Sequence, residues 1–580
     1  MAFSRAAKLT LAVLLLAFPF LADSFTAYQL GLYLLYGMVA QGIALCWGRA
    51  GFLPLGQALF FGIGAYLSGA ALKADPGWAL LIPAVAVACL IPALLAGLIG
   101  ALVFNRQTGS GPYFSLITLA LSMLGFQLAN SLSSITGGFN GMTGVPGLPG
   151  IDTYETLYFV IAGTLIASTM VLAHVMRAPF GQLLIAVREN EERLQFFGFR
   201  TSMLKAAAFA ISGGVAGLAG ALYAPHQGIV TPQAVGFILS AELLIWTAVG
   251  GRFGLIGPVA GAVLIGFMAA GLRDSFRYWE VAIALVFIIV VLKMPGGLSG
   301  VFSTIADRFG PTARRPGSSA VPVALAGKAH RGAPDLRFEH VGVRMGPVKI
   351  LNGLDFSISR TGIHCVIGPN GAGKTSALNV LTGRLPLGAG DISWRGTSLA
   401  NTRPYIAARR GIGRKFQVPS IFPELSIDQN IEIAIWANRL SPRDMFSMRV
   451  YGWTTQMRGN LQTRFPFLKQ GATPAGSLSV GQRQMLDFSM TLLAEPDLVL
   501  LDEPCAGLSS DETRQMIEAI AAMAAQTQAT FIIIEHDMQV VEQLSDHVLV
   551  MHQGALLANG TMAEIRANAE VSHVYSGGSK

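Results

Sequence analysis

The hydrophobic positions of this chain fall into two regimes. From residue 9 to residue 293, long apolar stretches alternate with short polar interruptions. A helix needs about 20 apolar residues to cross a bilayer, and several of these stretches are short or broken by Gly and Pro, so we predict about eight to ten membrane helices. The candidate spans are 9–23, 27–46, 51–72, 79–104, 112–133, 156–176, 205–224, 236–251, 254–272 and 279–293. From Asp335 onward, charges are frequent and short apolar runs alternate with helical patterns, which predicts a soluble strand–helix domain.

The first apolar run has two interpretations. Arg5 and Lys8 precede the run 9–22, an order typical of a cleavable signal sequence. A second apolar segment follows almost at once, which favours a retained first membrane helix.

The basic residues between the spans predict the orientation of the helices. The densest positive cluster is the loop 177–205, which holds Arg177, Arg188, Arg193, Arg200 and Lys205. Loops on the cytoplasmic side carry an excess of Lys and Arg. With a cytoplasmic amino terminus, alternating spans place this loop inside, and the same parity places the soluble carboxyl-terminal half inside.

Composition narrows the function classes. The chain is 52% hydrophobic and only 13% charged, whereas globular proteins carry about 25% charged residues. The net charge of +8 is explained by basic loops at a membrane surface, and no alternation of basic and aromatic residues indicates a nucleic-acid-binding function. The four cysteines, Cys46, Cys89, Cys365 and Cys505, have no metal-binding spacing and are expected to be reduced thiols.

Small residues and one carboxylate stand out within the predicted spans. Gly213 and Gly217, like Gly257 and Gly261, lie four residues apart, which lets helix backbones approach closely in lipid. Broken helices around a passage are the alternative. Glu242 lies well inside a span, where a charge costs a few kcal/mol, so it is expected to face protein or water. Pairing with a neighbouring helix and contact with a solute both remain open.

A phosphate-binding loop follows the first strong strand pattern of the soluble half. Residues 307–334 are rich in Pro, Gly, Ser and Ala and predict a flexible tether. The later stretch "GIHCVIGPNGAGKT" contains a G-x-x-x-x-G-K-[ST] pattern, in which backbone amides and a helix N-terminus surround phosphate. Lys374 is expected to reach the β- and γ-phosphates, and the hydroxyl of Thr375 to bind Mg²⁺. The predicted nucleotide-binding residues of this loop are Gly368, Pro369, Asn370, Gly371, Ala372, Gly373, Lys374 and Thr375.

Two further strand ends carry groups suited to nucleotide hydrolysis. The run "DLVLLDEP" ends in Asp502 and Glu503, and ligands of parallel sheets bind at the carboxyl ends of the strands. Asp502 is expected to hold Mg²⁺, and Glu503 to orient or deprotonate the attacking water. His536 ends the run "ATFIIIEH" and is predicted to contact the γ-phosphate or Glu503.

Together these residues resemble an ATP-binding cassette (ABC) ATPase. The stretch "LSVGQRQ" is similar to the signature of that family, with Ser479, Gly481 and Gln482 matching. The resemblance implies that the signature of one cassette covers ATP held by a second cassette. Gln417, in "GIGRKFQVPS", matches the glutamine that links the nucleotide site to the membrane partner, and it is expected at the catalytic and Mg²⁺ site.

Two positions depart from the family pattern. Val480 replaces the usual first glycine of the signature. Met345 stands near the place of an adenine-stacking aromatic residue, and packing of its thioether on the base is the expected substitute.

The apolar half resembles the permease of bacterial branched-chain amino acid importers. The stretches "GFLPLGQALFFGIGAY", "APFGQLLIAVREN" and "AFAISGGVAGLAGALYA" carry this resemblance. Within that group, "ELLIWTAVGGRFGLIGPVAGAVL" and "GIGRKFQ" look closer to the branch that serves urea and short amides. The resemblance also implies that the loop 177–205 carries the helix that docks on the cassette.

The predicted fold class is therefore an α-helical transmembrane permease bundle (1–306) fused through a linker (307–334) to an α/β P-loop ABC ATPase domain (335–580). The resemblance implies an ATP- and Mg²⁺-dependent importer of branched-chain or hydrophobic amino acids in the bacterial inner membrane. It also implies a second permease, a second cassette and an extracytoplasmic solute-binding protein as partners. Import of urea or short amides, ATP-driven export and a membrane-anchored regulatory ATPase are the alternatives.

Overall fold

The structure, a computed structural model, describes residues 5–74, 77–106, 111–294, 296–300, 321–327 and 333–576. These residues form two compact units. The first lies within Met1–Arg188 and Thr201–Ser318, and the second comprises Glu189–Arg200 and residues within Ser319–Lys580. Most of the predicted tether 307–334 lies outside the described residues.

The first unit is helical, and each predicted membrane span contains an α-helix. Within the part of the chain that the structure describes, six helices are long and apolar enough to cross a membrane: those that begin at Ser24, Gly77, Pro112, Leu157, Thr201 and Ile256. Shorter apolar helices cover Leu9–Phe20, Phe237–Gly250 and Val281–Val290. The helices are α1 (Arg5–Ala17), α2 (Ser24–Ala44), α3 (Gln57–Lys73), α4 (Gly77–Arg106), α5 (Pro112–Ser131), α6 (Ser133–Thr136), α7 (Leu157–Arg177), α8 (Pro179–Gln195, which runs into the second unit), α9 (Thr201–Gln227), α10 (Phe237–Gly250), α11 (Ile256–Ser275) and α12 (Trp279–Lys293). Two short strands, β1 (Met142–Thr143) and β2 (Ile229–Val230), pair antiparallel.

Helix α9 is central in the first unit because its glycines let the backbones of neighbouring helices approach closely. It packs against α2, α3 and α4. A Cβ atom on Gly217 would lie 2.4 Å from the carbonyl oxygen of Ala88, and one on Gly220 would lie 1.9 Å from that of Phe61. These distances support the packing interpretation of the small residues, because any side chain would force the helices apart.

Helices α10 and α11 meet in the same way at Gly261. A Cβ atom there would lie 2.2 Å from the carbonyl oxygen of Trp246. We expect Gly261→Ala to destabilise the helical unit by about 1–3 kcal/mol, the usual cost of overpacking. Gly163→Ala is the matched control, because a Cβ atom on Gly163 of α7 meets nothing within 4 Å. Thermal unfolding in detergent measures both variants, and equal melting temperatures would contradict the close contact.

Among the described residues, the second unit contains a six-stranded sheet, a four-stranded sheet and a two-stranded sheet. The helices are α13 (Lys374–Leu381), α14 (Pro404–Arg409), α15 (Ile427–Trp436), α16 (Gln456–Arg464), α17 (Val480–Leu493), α18 (Ser510–Thr527), α19 (Met538–Leu544), α20 (Met562–Ala567) and α21 (Ala569–Ser576). The strands are β3 (Val323–Ala324), β4 (Leu336–Met345), β5 (Val348–Ile358), β6 (Gly362–Ile367), β7 (Ala389–Trp394), β8 (Thr397–Ser398), β9 (Ile412–Lys415), β10 (Trp453–Thr454), β11 (Leu498–Asp502), β12 (Thr530–Ile534), β13 (His547–His552) and β14 (Ala555–Gly560).

The order of the strands positions the predicted site. The six-stranded sheet has the order β14-β13-β6-β12-β11-β9, in which only β14 runs antiparallel to its neighbour. The phosphate loop after β6 and the acidic pair at the end of β11 therefore lie at the same sheet edge. The second sheet, in the order β5-β4-β7-β8, is antiparallel. Side chains from both sheets and from α13 form one buried apolar cluster.

One described part of the predicted tether is paired with the second unit. Val323 and Ala324 form β3, which lies parallel to β10, and the amide of Leu325 donates to the carbonyl oxygen of Thr454. The sequence of this segment has no strand period. Backbone hydrogen bonds hold it, and these do not depend on its side chains.

Candidate functional site

The loop between β6 and α13 has the backbone geometry of a phosphate cradle. Gly368, Gly371 and Gly373 have φ angles of 148°, 82° and 96°, a region that favours glycine. A Cβ atom on Gly368 would lie 2.1 Å from the carbonyl oxygen of Met551. Helix α13 then begins at Lys374, so its N-terminal amides follow the loop directly.

Lys374 lies inside the loop. Its Nζ donates to the carbonyl oxygens of Gly368, at 2.7 Å, and of Pro369, at 3.1 Å. Burial lowers the pKa of Lys374, and the carboxylates of Glu503 and Asp502 oppose that shift. The ammonium group is therefore held on the phosphate side of the loop with acidic neighbours close by.

The other loop residues predicted from the sequence serve this backbone geometry. Ala372 is buried, and its amide donates to the carbonyl oxygen of Pro369 at 3.2 Å. Asn370 and Gly371 are exposed at the tip of the loop.

Two of the three residues predicted at the Mg²⁺ site, Thr375 and Asp502, are in direct contact. The hydroxyl of Thr375 donates to Asp502 Oδ1 at 3.3 Å, and Asp502 is buried at the end of β11. Burial raises the pKa of Asp502, whereas the guanidinium of Arg414 and the Thr375 hydrogen bond lower it. A hydroxyl and a carboxylate side by side are oxygen ligands that suit Mg²⁺. The residues present fit that ion.

Glu503 lies directly after Asp502 in an unusual backbone conformation. Its φ angle is 45°, a left-handed value that is uncommon outside glycine and that concentrates at functional sites. Its amide donates to the carbonyl oxygen of Ile534 at 2.9 Å, which ties this turn to β12. Gln417 Nε2 donates to Glu503 Oε2 at 2.8 Å, so the structure brings these two predicted residues into direct contact.

His536 lies near Glu503 but does not hydrogen-bond to it. The distance between His536 Nδ1 and Glu503 Oε1 is 3.9 Å, and the histidine side chain is 63% exposed. The imidazole therefore lies beside the Glu503 carboxylate without a hydrogen bond to it and is accessible from solvent.

The signature residues form the start of α17. The hydroxyl of Ser479 accepts from the amide of Gln482, and Gln482 Oε1 accepts from the amide of Ser479, each at 3.1 Å. A Cβ atom on Gly481 would lie 2.0 Å from Glu512 Oε1. Val480, which departs from the family pattern, is 57% exposed, as is Met345 at 59% at the end of β4. The hydrogen bonds of Ser479 and Gln482 therefore cap a helix within this chain.

Sequence reasoning missed a buried arginine beside the predicted Mg²⁺ site. Arg414 lies on β9 and is almost fully buried. Its Nη1 donates to the hydroxyl of Thr382 at 2.8 Å, and its Nη2 lies 3.5 Å from Asp502 Oδ2. Burial lowers the pKa of Arg414 to about 10, opposed by Asp502. The available signal was an arginine–lysine pair inside a short apolar strand, "GIGRKF".

A second missed residue is Glu535. It is buried, and its Oε1 accepts from the amide of Cys505 at 3.2 Å, in the turn that follows Glu503. Burial raises the pKa of Glu535, and the hydrogen bond from Cys505 opposes the shift. A carboxylate directly after the apolar run of β12 was its signal in the sequence.

The 189–200 segment, from the basic loop, also belongs to this unit. Asn190 breaks α8 with φ −153° and ψ 81°, and its Oδ1 accepts from the amide of Arg193 at 2.9 Å. The Arg193 guanidinium is buried and lies 2.7 Å from Asp487 Oδ1 on α17. Glu192 pairs with Arg384 at 2.6 Å. A buried, paired arginine fixes the register of the segment, because misplacing it would leave a buried charge unpaired.

Comparison with known proteins gives matches to both halves. Residues 25–292 match the family described as "Branched-chain amino acid transport system / permease component", and residues 351–506 match the family "ABC transporter". The chain is 32% identical over 259 residues to the high-affinity branched-chain amino acid transport ATP-binding protein BraF of Pseudomonas aeruginosa, covering 42% of this chain and 98% of that protein. It is 31% identical over 252 residues to the corresponding protein LivG of Escherichia coli, with the same two coverages of 42% and 98%. A solved nucleotide-free ATP-binding cassette from an ABC transporter matches with a TM-score of 0.36 and 25% identity, over 42% of this chain and 98% of that one.

Proposed function

Because this chain belongs to the ABC transporters, as a fusion of a branched-chain amino acid type permease with its ATP-binding cassette, we propose that it imports branched-chain or other hydrophobic amino acids. The single observation that carries this proposal is the joint match of both halves to components of one kind of transport system. The membrane would be the bacterial inner membrane, with the cassette in the cytoplasm. This placement agrees with the basic loop 177–205.

We assign the roles in ATP hydrolysis from the geometry of the cassette. Lys374 and the glycine loop would hold the phosphates of ATP, and Thr375 and Asp502 would hold Mg²⁺. Bound Mg²⁺ supplies charge neutralisation at the phosphates. Glu503 would accept the proton of the attacking water, with Gln417 fixing one of its oxygens and His536 free to turn toward the γ-phosphate.

A working importer would need further subunits. The family consists of multi-subunit systems with permease and ATPase components, and we propose a second permease, a second cassette and an extracytoplasmic solute-binding protein for this one. In such an assembly, Ser479, Gly481 and Gln482 would face ATP on the other cassette. The exposure of Val480 beside them is consistent with a surface available to a partner.

Solute uptake tests the proposal. We expect cells that express this gene with its partner subunits to accumulate labelled leucine, and cells without it to lose that uptake. Labelled urea is measured in parallel, because "GIGRKFQ" and the 242–264 stretch look closer to the urea and amide branch. Uptake of urea in place of leucine would show that the substrate belongs to the urea and short-amide class.

Two further outcomes would reject import itself. Gene-dependent efflux of preloaded solute would assign an exporter. ATPase activity that is indifferent to solute-loaded binding protein, with no gene-dependent flux of either solute, would assign a regulatory ATPase.

A further inference from the structure

Arg414 connects two features of the second unit that the proposed function treats separately. Its side chain reaches the predicted Mg²⁺ ligand Asp502, and its backbone carbonyl oxygen accepts from Arg193 Nη1 at 2.5 Å. Arg193 belongs to the 189–200 segment, which is part of the second unit although the chain on both sides of it belongs to the first. One residue of β9 therefore lies between the 189–200 segment and the acidic end of β11.

The side chain of Arg414 is placed to orient Asp502. Its Nη1 is anchored to Thr382, just after α13, and its Nη2 faces Asp502 Oδ2. The other carboxylate oxygen of Asp502 receives the Thr375 hydroxyl, so the two oxygens are held from opposite ends of α13. The buried Nη2 has no hydrogen-bond partner within the described residues. Its 3.5 Å distance to Asp502 Oδ2 is that of an ion pair. A shift of β9 by a few tenths of an ångström would change that contact.

The 189–200 segment fixes β9 from the other side. Besides the bond to the Arg414 carbonyl oxygen, Arg193 donates to the hydroxyl of Thr491 at 3.0 Å and pairs with Asp487, both on α17. Phe196 meets Phe416, the residue before Gln417, with ring centroids 4.9 Å apart. Movement of the segment would thus move the backbone that carries both Arg414 and Gln417.

We propose that Arg414 is a positioning residue for Asp502 and that the 189–200 segment sets its position through Arg193. The proposal rests on the assignment of Asp502 as the Mg²⁺ ligand within the proposed function. It adds a second connection between the 189–200 segment and the hydrolytic site, distinct from the contact between Gln417 and Glu503.

Nucleotide binding with and without Mg²⁺ tests the role of Arg414. The purified full-length protein is titrated with a fluorescent ATP analogue in EDTA and at increasing Mg²⁺ concentrations. Mg²⁺ is expected to strengthen binding of the ATP analogue. We expect R414Q to raise the Mg²⁺ concentration that gives half of this strengthening about 10- to 100-fold, the usual result of removing a partner of a metal ligand. Binding in EDTA should stay unchanged, and R414K should restore part of the Mg²⁺ effect. A loss that is equal with and without Mg²⁺, or no change at all, would overturn the proposal.

A double-mutant cycle tests the connection to the 189–200 segment. R193Q should shift the Mg²⁺ dependence in the same direction as R414Q, and it should add nothing in the R414Q background. R200Q is the matched control, because Arg200 is an exposed arginine at the end of the same segment. Effects of R193Q and R414Q that multiply, or an effect of R200Q as large as that of R193Q, would overturn the connection. If R414Q does not fold, R414K and R193K replace the glutamine variants in the same cycle.

The D502N variant separates this proposal from the proposed function. If D502N leaves the Mg²⁺ dependence unchanged, the assignment of the metal ligand fails, and this inference fails with it. If D502N changes it and R414Q does not, only this inference fails. Neither measurement requires a transported solute, so an absence of leucine uptake would reject the import proposal alone.

Discussion

Replacing Glu503 with glutamine is expected to leave ATP binding intact and to slow hydrolysis by about 100- to 10,000-fold, the usual contribution of a general base. Glutamine has nearly the same shape as glutamate, so the left-handed turn at this position and its hydrogen bond to Ile534 should persist. The amide cannot accept a proton from water. Release of inorganic phosphate measures hydrolysis, and a fluorescent ATP analogue measures binding.

Glu518→Gln is the matched control for this variant. Glu518 lies on α18 and is exposed, so the substitution removes the same charge at a distance from the loop. It should hydrolyse ATP at the wild-type rate. If Glu503→Gln also hydrolyses at that rate, the catalytic base lies elsewhere, and Glu535 and His536 would be the next candidates at this sheet edge.

The residues of the phosphate cradle could be predicted from the sequence because their geometry is local. The spacing of Gly368, Gly371 and Gly373 reflects backbone angles that only a few residues determine. The position of Asp502 and Glu503 required one further step, namely that the strand before them, β11, runs parallel to β12, which in turn runs parallel to β6. Apolar runs that end in charged residues were sufficient for that step.

The residues around this cradle could not be predicted, because their roles depend on contacts between distant segments. Arg193 is one of several basic residues in a loop, and its sequence gives no sign that it is buried against Asp487. Arg414 was visible as a charge in an apolar strand, but its partners, Thr382 and Asp502, belong to other elements. Pairing of Val323–Ala324 with β10 uses backbone groups alone.

The contact between Gln417 and Glu503 combines residues that the sequence predicts with a contact that only the structure shows. The sequence predicted both residues for the site, and the structure adds that Gln417 lies one residue after Phe416, which contacts the 189–200 segment. A rearrangement of that segment would therefore reach Glu503 through Phe416 and Gln417. For this reason the variants of Arg193 and Arg414 are compared by their Mg²⁺-dependent binding of an ATP analogue. This measurement does not depend on Glu503 acting as a base.

Lys374→Ala is expected to abolish both tight ATP binding and solute uptake. The ammonium group now bonded to the carbonyl oxygens of Gly368 and Pro369 is the cation that would turn to the β- and γ-phosphates. Each hydrogen bond to a charged group contributes about 1.5–3 kcal/mol. Loss of the bonds from Lys374 to the β- and γ-phosphates should therefore weaken ATP binding by about 100-fold or more. Titration with a fluorescent ATP analogue measures the affinity, and labelled leucine uptake measures transport.

Lys469→Ala controls for the loss of a positive charge, since Lys469 is an exposed lysine of the same unit. It should bind ATP and support uptake as the wild type does. Thermal unfolding without nucleotide should be similar for both variants, because the two hydrogen bonds that Lys374 donates go to loop carbonyl groups that water can also satisfy. Stabilisation by added ATP should disappear only in Lys374→Ala. Robust uptake in that variant would show that transport does not depend on ATP held by this loop.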